Sequence, residues 1–237
     1  MSSSTIETIR TSNPTPPLER EISEREARQV AEAAREKEWK LPSFVRELFL
    51  GRLRMDLIDP LPEPKHDDGE RGEDFLRRFE DYLRSVDGDE LDKVPGMPSE
   101  VHDALSKLGA FGMKIPREFG GLGFSQRTYT RALALCGTHS STISVTLSAH
   151  QSIGVPQPLV LFGTDEQKEK YLPRLAKGAI SGFALTETDV GSDPARMQCE
   201  AVLSEDGRAY VLNGAKLWCT NAPLAELLVV MARVPGD

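Results

Sequence analysis

Two stretches of this chain put side chains able to grip a flat, polar molecule at short spacing. The first reads Gly-Phe-Ala-Leu-Thr-Glu-Thr-Asp-Val-Gly-Ser-Asp at 182–193. Phe183, Ala184 and Leu185 favour extended backbone, whereas Asp189, Gly191, Ser192 and Asp193 favour turns. A strand ending in such a turn offers backbone N–H groups and hydroxyls together, which suits a planar polar ligand or a phosphate. The second reads Asn-Gly-Ala-Lys-Leu-Trp-Cys-Thr-Asn at 213–221. Asn213-Gly214 is the preferred two-residue hairpin connection, so Tyr210–Leu212 and Lys216–Thr220 are expected to be its strands. Alternation then sends Leu217 and Cys219 to one face, and Trp218 and Thr220 to the other. An indole and a hydroxyl on one face can stack on a ring and hydrogen-bond its edge. A core tryptophan in an ordinary hairpin is the competing account of the second stretch taken alone.

The elements that must carry these residues change character near Gly178. Before it the apolar residues recur at helical spacing. Residues 1–18 are rich in Ser, Thr and Pro and are expected to be disordered. Residues 19–39 read as a charged helix with a thin apolar stripe. Phe44, Val45, Leu48, Phe49 and Leu53 form a stronger stripe, ended by the prolines of 59–64. Phe75, Leu76, Phe79, Tyr82 and Leu83 mark one face of a helix that can dock on a core. Ser99 and Ser125 are expected N-caps. Thr164 with Gln167 matches a capping box, and Pro173 is expected to bend or split the helix that follows. The glycine-rich run 114–123 lacks both the GxGxxG spacing and the Lys-Ser/Thr ending of a phosphate loop, and is read as structural. His139 and His150, eleven residues apart, have no third metal ligand in view and are read as satisfied histidines.

After Gly178 the period becomes that of strands, expected at 181–186, 197–203, 208–212, 215–220 and 226–234, with Asp206-Gly207 as a second hairpin turn. Helices followed by an antiparallel meander make an α+β chain. A β-domain stopping at Asp237 would keep an unpaired edge, so a chain cut short is expected.

Composition narrows the partners. The 237 residues carry 29 Lys plus Arg against 37 Asp plus Glu, a net charge of −8. That balance argues against nucleic acid or an anionic membrane as the main partner. Three dispersed cysteines, Cys136, Cys199 and Cys219, give neither a disulfide framework nor a metal knuckle. No run approaches the about 18 apolar residues of a membrane span, and the first residues lack the order of a signal peptide. A cytoplasmic setting is the expectation.

Together the two opening stretches are far more specific than either alone. They resemble the flavin-binding segments of the acyl-CoA dehydrogenases, a Thr-Glu-x-x-x-Gly-Ser-Asp turn followed by an Asn-Gly-x-Lys-x-Trp-x-Thr-Asn hairpin. Segments 43–51, 108–123, 148–154 and 161–173 are similar to the very-long-chain branch. The resemblance implies a tail and helical extension at 1–66, an N-terminal helical domain at 67–179 and an incomplete middle β-barrel domain at 180–237. It implies FAD as cofactor, a long-chain fatty acyl-CoA as substrate and α,β-dehydrogenation as the reaction. An electron-transfer flavoprotein as acceptor and a homo-oligomer of the full-length protein are further implications.

Residue by residue, Phe183, Leu185 and Thr186 fall beside the pyrimidine edge of the flavin, and Gly191 and Ser192 on the turn that contacts it. Ser192 also meets the CoA part of the substrate, Trp218 packs on the ring, and Thr220 approaches N5. Phe183 stands where several members have Tyr, and Thr188-Asp189-Val190 replaces a commoner Pro-containing turn. The family's catalytic base is a glutamate of a C-terminal helical domain absent from this sequence, so no catalytic residue is assigned. Glu187 is expected to order the turn. The 237 residues alone are therefore expected to bind flavin weakly and not to turn over. A non-catalytic binding module and an acyl-CoA oxidase on the same fold are the alternative readings.

Overall fold

A computed structural model describes residues 42–60 and 68–235. The tail and helix expected before residue 40, and part of the proline-rich break, lie outside the described residues. In chain order the helices are α1 (Phe44–Phe49), α2 (Gly69–Arg84), α3 (Gly88–Leu91), α4 (Ser99–Leu108), α5 (Gln126–Gly137), α6 (Ser141–Ser148), α7 (Pro156–Phe162) and α8 (Asp165–Ala176). A π-helical turn at Ala149–Ile153 joins α6 to the segment before α7. The strands are β1 (Ser181–Ala184), β2 (Glu200–Leu203), β3 (Tyr210–Asn213) and β4 (Leu227–Val230). Among the described residues no helix is long and apolar enough to cross a membrane.

Two compact units result. The larger holds residues 67–199 and 214–232. Its centre is the stripe read from the sequence: Phe75, Leu76, Phe79 and Leu83 of α2 are buried and pack with Leu105, Phe111, Tyr129, Ile143 and Leu147. Phe75 and Phe79 stack, with ring centroids 5.3 Å apart. The opposite face of α2 stays in water and is laced by Asp74 with Arg77 and Arg78, and by Glu80 with Arg84. Asp92 supplies the start of α6, its carboxylate accepting from the Ser140 and Ser141 hydroxyls and the Ser141 and Thr142 N–H groups. Those hydroxyl contacts, first among the causes, hold the Asp92 carboxyl well below the usual carboxylate range. A second apolar cluster joins Ile115 and Val155 to Tyr171, Leu172 and Leu175 of α8.

The capping signals mostly hold. Ser125 accepts from Thr128, and Thr164 with Gln167 forms the complete capping box. Ser99 is not a cap: Pro98 takes that place and Ser99 opens α4. Pro173 neither bends α8 into two pieces nor ends it. The helix runs unbroken to Ala176, held by buried Tyr171, Leu172 and Leu175 on both sides of the proline. Run 114–123 is a structural loop, with Leu122 N donating to Gly112 O and Gly123 N to Ile115 O.

The β-region departs from a simple meander. β1 pairs with β4, and the pair is parallel, Ser181 opposite Leu227. β2 and β3 form the expected antiparallel hairpin across Asp206-Gly207, Glu200 opposite Asn213. The smaller unit contains that hairpin. There Arg233 runs beside Glu200 and pairs with its carboxylate. In α1 the apolar stripe faces solvent, with Phe49 88% exposed.

Candidate functional site

The site begins where β1 ends. β1 is anchored from below by a buried histidine on the π-helical turn. His150 Nδ1 accepts from Ser181 N–H at 3.1 Å, and its Nε2–H donates to the Phe111 carbonyl at 3.1 Å. Burial is the main cause that pushes the imidazole down to about 4, so the neutral ring with its proton on Nε2 is the resident form. His139 sits elsewhere, its Nδ1 3.0 Å from the Leu135 carbonyl. Both histidines are thus satisfied by backbone partners.

Beyond Ala184 the chain is held by three successive contacts. The Lys216 ammonium donates to Leu185 O at 3.0 Å, Leu217 N–H donates to Thr186 O at 2.8 Å, and Glu187 closes a tight turn with Val190. Glu187 N–H donates to Val190 O at 2.9 Å, leaving Thr188 and Asp189 at the exposed tip. The Glu187 carboxylate points inward. It accepts from Lys216 Nζ at 2.7 Å, Gln198 N–H at 2.6 Å and Cys199 N–H at 2.9 Å. The Lys216 hydrogen bond, with those N–H groups, pushes its pKa down to about 2. A buried carboxylate, 6% exposed and held by three donors of the protein itself, orders the turn.

The segment after β3 is not a strand. Asn213 ends β3, residues 215–219 form no strand, and Asn213-Gly214 closes no hairpin. Gly214 serves another purpose. At φ +146° it lies against Cys199, where a Cβ would come within 2.7 Å of the Cys199 Cα. The segment is then tied at two points, by Leu217 to Thr186 and by Asn221. Buried Asn221 donates to Thr146 O of α6 at 3.0 Å and to Ser181 O of β1 at 3.1 Å. Between the ties the in-and-out order expected of a strand survives: Leu217 and Cys219 are half-buried, Trp218 and Thr220 exposed.

Trp218 is 87% exposed and holds a left-handed backbone, φ +52°. Both features are unfavourable for a large aromatic residue in water. Phe183, Leu185 and Thr186 are half-buried, while Gly191 and Ser192 are exposed past the turn. The Thr186–Leu217 bond ties the turn to the residue that precedes Trp218. Among the described residues the hydroxyls of Thr186 and Thr220 have no hydrogen-bond partner. An exposed, positioned indole flanked by unused hydroxyls fits a flat ring with polar edges. Lys216 and Asn221 do the holding, and both belong to the Asn-Gly-x-Lys-x-Trp-x-Thr-Asn run, yet spacing alone did not reveal their roles.

Residues 73–179 match the acyl-CoA dehydrogenase N-terminal domain, and residues 182–237 match the middle domain of the same family. The chain belongs to the acyl-CoA dehydrogenase family. Two acyl-CoA dehydrogenase domains therefore account for most of the sequence, and the turn and the Trp218 segment both lie in the second. The chain is 52% identical, over 91% of its length and 33% of the relative, to the probable acyl-CoA dehydrogenase FadE10 of Mycobacterium tuberculosis H37Rv. It is 41% identical to the very long-chain specific acyl-CoA dehydrogenase of rat mitochondria, over 81% of this chain and 30% of that one. Among solved structures it is similar to an acyl-CoA dehydrogenase complexed with FAD from Bacillus anthracis. That match has a TM-score of 0.62 at 31% identity and covers 76% of this chain and 31% of the other. Butyryl-CoA dehydrogenase from Megasphaera elsdenii matches with a TM-score of 0.64 at 30% identity, over 71% and 45% of the two chains. The chain spans about a third of the length of the curated relatives it matches.

One consequence concerns Trp218 directly. Replacing it by Asn, which tolerates left-handed backbone, removes strain and sacrifices little packing. Urea unfolding of the unliganded protein is expected to show Trp218→Asn as stable as the parent, or more stable by up to about 1 kcal/mol. A loss of stability would mean that the indole is a packing residue.

Proposed function

We propose that this chain is the N-terminal and flavin-facing part of an FAD-dependent enzyme that dehydrogenates long-chain fatty acyl-CoA thioesters at the α,β position. The observation that carries the reading is the exposed, left-handed Trp218, next to the Leu217–Thr186 tie, in a chain of this family. When bound, FAD supplies the hydride acceptor. The residues proposed to hold it are Phe183, Leu185, Thr186, Gly191, Ser192, Trp218 and Thr220. Trp218 covers a ring face and keeps water from it. The Thr186 and Thr220 hydroxyls meet polar edges, and Ser192, exposed past the turn, reaches the CoA part of the substrate. In this reading the helical domain spans 67–179 and the β-domain starts at 180.

Glu187 is not the base, because its carboxylate is bound by Lys216 and two backbone N–H groups. The base is proposed to be a glutamate supplied by a C-terminal helical domain, as the family resemblance implies. A long acyl chain as substrate is supported by the similarity to the very-long-chain relatives. An electron-transfer flavoprotein as electron acceptor, a homo-oligomeric full-length protein and a cytoplasmic location complete the proposal.

The test is spectroscopic. Full-length protein loaded with FAD is expected to lose its flavin absorbance when a long-chain acyl-CoA is added without oxygen. Unchanged absorbance with acyl-CoAs of every length would overturn the proposal. Bleaching followed by rapid recovery in air would favour the alternative reading, an oxidase on the same fold, which the 30% identity to the prolyl acyl carrier protein oxidase AnaB supports.

A further inference from the structure

We propose that the buried Lys216–Glu187 pair is a positioning device for the flavin site, setting both how FAD is held and the charge balance beside it. The inference rests on the flavin reading above and adds two residues that touch no ligand in it.

The geometry is specific. The two side chains are only 9% and 6% exposed, unlike the surface pairs of α2. Lys216 and Leu217 grip two consecutive carbonyls, those of Leu185 and Thr186. In a planar trans peptide the C=O and the following N–H point in opposite directions. Holding Leu185 O toward Lys216 therefore aims the Thr186 N–H to the other side, where it has no acceptor among the described residues. Holding Thr186 O toward Leu217 likewise turns the Glu187 N–H to Val190. The Lys216 grip thus presents one unused N–H beside the unused Thr186 hydroxyl. Glu187 completes the frame, since the same carboxylate ties Lys216 to the backbone at Gln198 and Cys199.

Mutual attraction alone does not explain the pair. Removing two charges from water is costly, and the pair is held by backbone partners as well, the Leu185 carbonyl on one side and the Gln198 and Cys199 N–H groups on the other. What an apolar pair cannot do is grip Leu185 O or place balanced charges next to the ring. Loss of Lys216 leaves a carboxylate there, kept ionised by its two backbone N–H donors. Loss of the Glu187 charge leaves an ammonium.

Full-length protein stripped of flavin tests this, with three readouts: the melting temperature without FAD, the FAD dissociation constant, and the reduction potential of bound FAD. Lys216→Met is expected to weaken FAD binding by about tenfold or more, as losing a charged hydrogen bond does. The double variant Glu187→Leu/Lys216→Met is expected to melt below the parent, because the Gln198 and Cys199 N–H groups lose their acceptor, and to keep the weakened FAD binding. The potential is expected to fall in Lys216→Met and to rise in Glu187→Gln, because a negative charge disfavours the reduced anionic ring and a positive one favours it. Lys216→Arg, which retains the charge, is expected to leave the potential in place. FAD affinity equal to the parent's in the double variant would overturn the inference. So would potentials that move the same way in both single variants, a readout that stands even if the double variant does not fold. Failure of the parent protein to bind FAD would instead overturn the functional reading, and this inference with it.

Discussion

Lowering the pH from about 6.5 to about 4 is expected to cost this protein about 3 kcal/mol of folding stability through His150 alone. The imidazole is fully buried, and burial holds it neutral down to about 4, against 6.5 when free. A folded-state pKa below the unfolded one means that the unfolded chain binds the proton first. The contribution is complete above 6.5 and is lost as the pH falls toward 4. Protonation would also set an Nδ1–H against the Ser181 N–H that now donates to it. The held carboxylates are separable above about 4.5, because Glu187 and Asp92 start from 4.5 and 3.8 and are shifted down, so their contributions are lost from about 4.5 downward. Urea unfolding at stepped pH is the measurement, with His150→Gln as the comparison. The glutamine can donate and accept at the same places without titrating. Its unfolding free energy is expected to be lower at pH 7 and nearly flat between 6.5 and 4.5. Equal slopes in parent and variant would show that His150 is not the sensor. The matter bears on the site, since Ser181 opens the strand that leads to Thr186.

Gly121→Ala is expected to cost about 3 kcal/mol or more, whereas Gly120→Ala next to it costs about 1 kcal/mol. A Cβ on Gly121 would come to 2.0 Å from the Ile115 carbonyl oxygen and 2.6 Å from the Ile115 Cβ. Ile115 is wholly buried, and its carbonyl accepts from Gly123, so neither can yield without opening the loop. Gly120, at φ +81°, has no atom within 4 Å of a Cβ, leaving only the cost of left-handed backbone. Comparing the two variants by urea unfolding checks the prediction, and equal losses would contradict the packing described. The glycine-rich run was legible as structural because it lacked a phosphate-loop spacing. Which glycine is indispensable was not, because that depends on a carbonyl folded back across the loop.

The same division between near and far explains what else could be read. The face of α2 was visible in Phe75, Leu76, Phe79 and Leu83 because helical periodicity is local. The Thr164–Gln167 box was visible for the same reason. Asn213-Gly214 misled because a turn preference is also local, whereas Gly214 is used for contact with Cys199, fifteen residues back. The parallel pairing of β1 with β4 joins residues 46 positions apart, Ser181 with Leu227, and neither strand's alternation says which partner it takes. At the site, the outward set of Trp218 and Thr220 was correctly anticipated from alternation, though no strand forms there. Their anchoring by Lys216 and Asn221 depends on carbonyls at Leu185, Thr146 and Ser181, which no spacing rule connects.

The claim at the centre is that Trp218, held open next to the Leu217–Thr186 tie, covers the flavin. Fluorine NMR of full-length protein labelled with 5-fluorotryptophan tests it most directly, with the Trp218 resonance assigned through Trp218→Phe. On titration with FAD the Trp218 signal is predicted to shift from its solvent-exposed position and to saturate at one FAD per chain. A Trp218 signal that stays in place while FAD binds stoichiometrically would contradict the account.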